Sequence, residues 1–308
     1  MGSGRRWRVY WLATRPKFLT ASAAPVLVGT AAGLASGATF HWTLFLLALA
    51  GVMALHAGAN VINDYYDHLS GNDWVNTNPT PFSGGRRFIQ QGTLTPRATL
   101  LTGLACLGIG AGMGLIILAM TRSLFVLGLG LFGLLGGFFY TAKPVQLGYR
   151  GIGEVVIAFL FGLLPVYGSY VLQTGRVEGV ALLPALIVSA LIFMVIFINE
   201  FPDRLADAQV GKRTLVVRLG VPRSVWLYRL VLACTYALAG AMLIREVTLW
   251  AGVFYLLTLP LAGLAWRAAN PQDLDTPGRW RGNQLTVLLH ATGSLGLTLG
   301  LGLHWALT

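Results

Sequence analysis

The chain alternates between long apolar runs and short polar breaks. Nine runs approach the ~20 residues that a membrane-crossing helix needs. They fall at 18–36, 42–63, 98–120, 122–141, 153–172, 179–199, 224–243, 248–267 and 284–306. Charges, prolines or turn residues separate each run from the next. The pattern predicts an all-α membrane protein, a bundle of nine transmembrane helices, with residues 1–308 forming one integral membrane domain. Residues 1–17 are basic and polar, and "RRWRVYW" from Arg5 to Trp11 reads as an interfacial lead-in with aromatic anchors. No small-residue cleavage site follows a short apolar run, so a removable signal peptide is not expected.

Composition agrees with a membrane setting. Charged residues make up 11% of the chain and hydrophobic ones 55%, with a mean hydropathy of +0.67, whereas a soluble domain is roughly a quarter charged. The net charge of +11 would suit nucleic acid, but its placement points elsewhere. With the N-terminus inside, 19 of the 22 Lys and Arg lie on one side of the nine-run arrangement. Arg122, Arg176 and Arg245 alone fall on the other. This is the positive-inside pattern, so the expected partner is the lipid bilayer and not nucleic acid. The long connections at 64–97, 200–223 and 268–283 are then cytoplasmic, and the C-terminus is outside. Cys106 and Cys234 both sit in apolar runs, which argues against a disulfide framework or a cysteine metal site.

The 11 acidic residues are gathered, not scattered. "NDYYDHLSGND", Asn63 to Asp73, follows the second run. Asn60, Asn63, Asp64 and Asp67 stand at i, i+3, i+4 and i+7, one face of a continuing helix, and Asp73 follows Gly71, where the chain can turn. "NEFPDRLADAQVGKRTLVVRLG" follows the sixth run and sets Asn199, Asp203 and Asp207 at i, i+4 and i+8. Both clusters end an even-numbered run, so both face the same compartment. Grouped carboxylates at a bilayer edge repel and are costly unless something positive compensates. Oxygen-only clusters suit Mg²⁺, which favours one or two carboxylates plus substrate phosphates. Arg86 and Arg87 after the first cluster, and Lys212 and Arg213 after the second, suit phosphate oxygens. The pattern therefore suggests a diphosphate held between two magnesium-binding patches; the plainer alternative is solvated charge at two helix ends.

Other signals carry less. "GLGLFG", with Gly128, Gly130 and Gly133, matches a dinucleotide fingerprint, but it lies within an apolar run with no strand before it and reads as close helix packing. His56, four residues before Asn60, is either a cavity residue or a hydrogen-bonded buried histidine. No Ser-His-Asp or Cys-His arrangement supports covalent catalysis.

The two acidic motifs resemble the paired aspartate-rich motifs of the UbiA superfamily of intramembrane aromatic prenyltransferases. "RPKFLTASAAPVLVGTAAG", "FSGGRRFIQQGTLTP" and "YTAKPVQLGYRGIGEVVIAFLFG" (140–162) are most similar to its 1,4-dihydroxy-2-naphthoate, menaquinone branch. One departure from the commonest pattern is that Asp73 follows Asp67 by six residues instead of four. The resemblance implies helices around a central cavity in a bacterial cytoplasmic membrane. It also implies Mg²⁺-dependent transfer of a polyprenyl group from its diphosphate to an aromatic acceptor. Asn63, Asp64, Asp67, Asp73, Asn199, Asp203 and Asp207 would hold metal and diphosphate, with Asp67, Asp203 and Lys143 catalytic. Asn60, Asn63, Arg86, Arg87, Tyr140, Asn199, Lys212 and Arg213 would bind substrate. Another acceptor such as 4-hydroxybenzoate, or a secondary transporter built on a repeat, are the competing readings.

Overall fold

Backbone that crosses lipid must satisfy its own hydrogen bonds, which for these apolar runs means helix. The computed structural model describes residues 3–83 and 85–308. Met1, Gly2, Gly84 and the side chains at positions 3–6, including Arg5 and Arg6 of the basic lead, lie outside the described residues. The helices are α1 Ser3–Ala13, α2 Thr20–Ala35, α3 Trp42–Ser70, α4 Pro96–Thr121, α5 Leu124–Phe139, α6 Gly153–Thr174, α7 Leu182–Gln209, α8 Leu215–Met242, α9 Leu249–Leu256, α10 Leu259–Ala268 and α11 Arg281–Leu307. Single turns at Asn72–Val75 and Pro271–Leu274 sit in the connections.

Among the described residues seven helices are long and apolar enough to cross a membrane, and α9–α10 adds an eighth if the bent pair is one span. Two expectations change. The run at 248–267 is not straight but bends by 51°. Pro260 has no N–H to continue the helix, and the Thr258 hydroxyl donates to the Tyr255 carbonyl (2.6 Å) while bonding Tyr236 (2.7 Å). The run at 122–141 becomes α5, with 16 residues. At 1.5 Å per residue that is about 24 Å, short of the ~30 Å hydrocarbon core. The left-handed Arg122 (φ 51°) and the Ser123 cap take its first residues, and a turn after Tyr140 takes its last.

α7 is the centre of the bundle. Ile187, Val188, Leu191, Met194, Phe197 and Ile198 are fully buried, over about half of its circumference. It packs against α2, α6, α8 and α11. Small residues let backbones approach where lipid gives no hydrophobic drive between helices. Gly29 of α2 lies so close to the Val166 carbonyl of α6 that a Cβ would collide.

Two helices extend beyond their apolar runs and so carry polar residues out of the bundle. α3 continues to Ser70, where Gly71 (φ 82°) stops it with a left-handed cap. α7 continues to Gln209, through Pro202. α1 lies beside α3, with Val9, Tyr10 and Ala13 packed on Val61, Phe88 and Leu94. Its Trp7 and Trp11, four residues apart, stay exposed.

Candidate active site

The extensions of α3 and α7 bring the two acidic motifs together. Asn72 donates to Asp207 Oδ1 (2.9 Å) and Asn76 to Asp203 Oδ1 (2.7 Å), with Ser83 also donating to Asp203 (3.2 Å). Within the first motif, Asn63 donates to Asp67 Oδ2 (3.0 Å), and Gln90 donates to Asp73 Oδ2 (2.9 Å). Asn199 accepts from Asn283 of α11 (2.8 Å). The six residues Asn63, Asp67, Asp73, Asn199, Asp203 and Asp207 thus stand at one end of one bundle.

Cations face them. Arg15, just before α2, pairs with Asp64 and sits in the combined field of Asp64, Asp67 and Asp73. Lys212 lies 3.3 Å from Asp207 and over the Tyr149 ring at 5.9 Å. Burial alone would lower the Lys212 pKa, but Asp207 and Asp67 outweigh it and hold the ammonium well above the usual lysine range. Asp73 goes the other way. Its burial, then repulsion from Asp67 and Asp64, raises its carboxyl to about 7. Ser83, Gly85 and Arg87 lie over this acidic surface. Gly85 (φ 66°) passes so near Asp64 that a Cβ would stand 2.9 Å from its Oδ1, and the Arg87 guanidinium binds the Asn76 carbonyl.

Beneath the carboxylates is a cavity of about 170 Å³. Asn60, Asn63, Tyr140 and Asn199 line its polar end, and Phe18, His56, Phe82 and Phe161 line its apolar part. Asn60 also donates to the Thr14 carbonyl (3.3 Å). His56 is both things expected of it: it faces the cavity, and it is buried and bonded to Ser22 (2.6 Å).

Several expected residues are not brought in. Lys143 is exposed and opens on a separate surface cavity with Tyr66, Gln146, Tyr149 and Arg150. The turns after Tyr140 direct it outward. The Arg213 side chain is exposed, and its backbone serves instead, donating to the Tyr149 carbonyl (3.2 Å). Arg86 forms no ion pair among the described residues; its backbone N–H, not its guanidinium, meets Asp64. Conversely, Arg15, Asn72, Asn76, Ser83, Gln90 and Asn283 join the site without having been singled out. The Asn72–Asn76 pair, four apart beside Asp73, carried a readable signal; Asn283, on the last helix, carried none.

A divalent cation fits the donor set. All the candidate ligands are oxygens, and Asp67 Oδ1, Asp207 Oδ2 and Asn72 Oδ1 are buried without a partner, which is costly unless something positive binds them. No set of three His, Cys, Asp or Glu side chains converges as a preformed cage among the described residues, in keeping with an ion that takes few protein ligands and shares phosphate oxygens.

Fold and site together define a polytopic helical membrane protein with carboxylates and cations clustered at one end of a partly aromatic cavity. The UbiA prenyltransferase family model matches residues 22–303. The chain therefore belongs to the UbiA prenyltransferase family and is a membrane prenyltransferase. It is 34% identical over 293 residues to a 1,4-dihydroxy-2-naphthoate octaprenyltransferase of Mycobacterium tuberculosis, covering 95% of this chain and 94% of that one. It is 35% identical over 219 residues to the enzyme of that name from Escherichia coli, covering 68% of each. Its fold is similar to a UbiA homolog from Archaeoglobus fulgidus bound to DMAPP and Mg²⁺, with a TM-score of 0.66, 16% identity and coverage of 94% and 99%.

Proposed function

We propose that this prenyltransferase moves a polyprenyl group from its diphosphate to 1,4-dihydroxy-2-naphthoate with loss of CO₂, a step of menaquinone biosynthesis. The observation that carries the reading is the cross-bonding of the two Asn/Asp motifs, Asn72 to Asp207 and Asn76 to Asp203, at the mouth of an aromatic cavity. The names of relatives that match most of the chain support the acceptor. In this reading Asn63, Asp67 and Asp73 on one side, and Asn199, Asp203 and Asp207 on the other, hold Mg²⁺. Asp64 serves by fixing Arg15.

Bound Mg²⁺ would neutralise diphosphate oxygens and so ease departure of pyrophosphate. Lys212 and Arg15 add fixed positive charge where negative charge grows on the leaving group. Arg86 and Arg87, in the overlying loop, and Lys143 and Arg213, on the outer surface, draw anions toward the mouth. Tyr140, Phe161 and Phe82 form dry walls around the allylic cation and keep water from trapping it. The ring carbon bearing the carboxylate bonds to the prenyl C1 as the C–O bond breaks. CO₂ then leaves, and the electron pair of its C–C bond returns to the ring. That exchange needs no base.

A single domain spanning 1–308 and nine crossings belong to the same proposal. α5 crosses with the help of its flanking residues, the N-terminus and the acidic motifs are cytoplasmic, and the 19-to-three division of Lys and Arg supports this. The test is purified protein with a prenyl diphosphate and Mg²⁺, given 1,4-dihydroxy-2-naphthoate or 4-hydroxybenzoate. Pyrophosphate and CO₂ should appear together with the naphthoate, and chelation should stop both. Prenylation of 4-hydroxybenzoate alone would overturn the acceptor assignment.

A further inference from the structure

The connection between α5 and α6 faces two ways. Lys143, Gln146, Tyr149 and Arg150 line a polar surface cavity of about 620 Å³, with Ser70 at the end of α3 and Gly211 after α7 on its other side. Val145 and Leu147, from the same short segment, line an apolar groove of about 680 Å³ along α5 and α6. The groove follows α5 from Leu131 to Phe139, about 12 Å. Phe132, Leu135 and Val155 on its walls are more than half exposed, so it opens to whatever surrounds the bundle. It shares no lining residue with the cavity beneath the carboxylates.

The polar cavity is cationic. The Tyr149 carbonyl accepts from the Arg213 N–H (3.2 Å), and the Arg218 guanidinium donates to the carbonyls of Arg150 (2.7 Å) and Arg213 (3.1 Å). Gly151 leaves the space that Arg218 occupies, since a Cβ there would collide with the guanidinium. Lys143, Arg150, Arg213 and Arg218 are therefore gathered together and exposed, and among the described residues none of them pairs with a carboxylate. The carboxylates nearby are committed elsewhere. Glu154 accepts from the Leu215 N–H (2.6 Å), and Asp207 holds Asn72 and Lys212. Four like charges gathered at one edge repel one another and favour an anion in return.

We propose that this cationic patch and the adjoining groove form one binding site for an anionic glycerophospholipid. Its phosphate sits among Lys143, Arg150, Arg213 and Arg218, and one acyl chain lies along α5. Basic pockets between membrane helices on the cytoplasmic side suit such headgroups, and the 19-to-three division of Lys and Arg supports a cytoplasmic position for this end. The arginine fork matches phosphate oxygens. The apolar groove begins at Val145, two residues from Lys143, so head and chain are served by one segment.

Native mass spectrometry of the purified, delipidated full chain can test this, with phosphatidylglycerol or phosphatidylcholine of the same acyl chains. Phosphatidylglycerol should bind more tightly, and Lys143→Gln or Arg150→Gln should each weaken it roughly fivefold, the effect of one cation at a membrane surface. Arg150 also donates to the Val145 and Pro144 carbonyls (2.6 and 3.3 Å). Arg150→Lys keeps its charge without that fork and should stay within about twofold of wild type. Arg267→Gln, at an exposed cation of α10 that lines neither surface, should change nothing. A phosphatidylglycerol with a photoreactive group in its acyl chain should label residues 131–160, and less so in Lys143→Gln. Equal binding of the two lipids, an equal loss in Arg267→Gln, or labelling spread evenly over the helices would overturn the site. Displacement of the phospholipid by an equal concentration of an eight-unit prenyl diphosphate would overturn its occupant and make the patch a port for the donor.

Discussion

Asn72 offers the sharpest probe of whether the two motifs act as one site. Its amide donates to Asp207 Oδ1 at 2.9 Å, and the Lys212 ammonium approaches the same oxygen at 3.3 Å. The Asp207 side chain is 1% exposed, so water cannot replace a lost donor. A hydrogen bond to a charged group contributes about 1.5–3 kcal/mol. If that bond holds Asp207 in its working position, Asn72→Ala should lower kcat/KM by roughly 10- to 150-fold. The protein should remain folded, because Lys212 still compensates the carboxylate. Lys212→Met is harsher, since it leaves a buried carboxylate unpaired at a cost of about 3–5 kcal/mol. Both residues share one oxygen, so the double variant should fall short of the product of the single effects, with a coupling of about 0.5–3 kcal/mol. The assay is pyrophosphate release at graded Mg²⁺, with thermal unfolding in detergent alongside. Activity within twofold of wild type and an unchanged Mg²⁺ dependence in Asn72→Ala would show that the bond between the motifs is idle.

Two further outcomes follow from the same geometry. Asp67→Ala and Asp203→Ala, one from each motif, should each remove most turnover while unfolding near the wild-type temperature; near-normal activity in both would sink the shared diphosphate site. Cysteines introduced singly between residues 71 and 95 should react with an impermeant reagent from the cytoplasmic side only, and labelling from outside would reverse the orientation.

The sequence was most legible where one helix carries the whole pattern. Asn60, Asn63, Asp64 and Asp67 share a face because α3 does run on to Ser70, and Asp73 turns off at a left-handed Gly71. Asn199, Asp203 and Asp207 share one because α7 tolerates Pro202. Contacts between distant segments were not legible. Asn72 and Asp207 are 135 residues apart, and nothing local says that they touch. Arg15 read as one more inside charge, although its pairing with Asp64 makes it part of the site. Lys143 misled in the opposite sense, because a turn of a few residues decides whether a long side chain points inward or out. Hydropathy likewise sees neither the bend at Thr258 nor the residues α5 loses to its caps.

α1 gains a role from where it lies. Val9, Tyr10 and Ala13 hold it against Phe88 and Leu94, on the connection that also carries Gly85 and Arg87 over the carboxylates. Those few apolar contacts make the first helix part of a roof between the reaction and water. The greasy donor and its product can travel sideways through lipid, but pyrophosphate cannot. On the proposed reading the water-soluble product departs past this roof, so the contacts that hold α1 in place bear on how fast it is released.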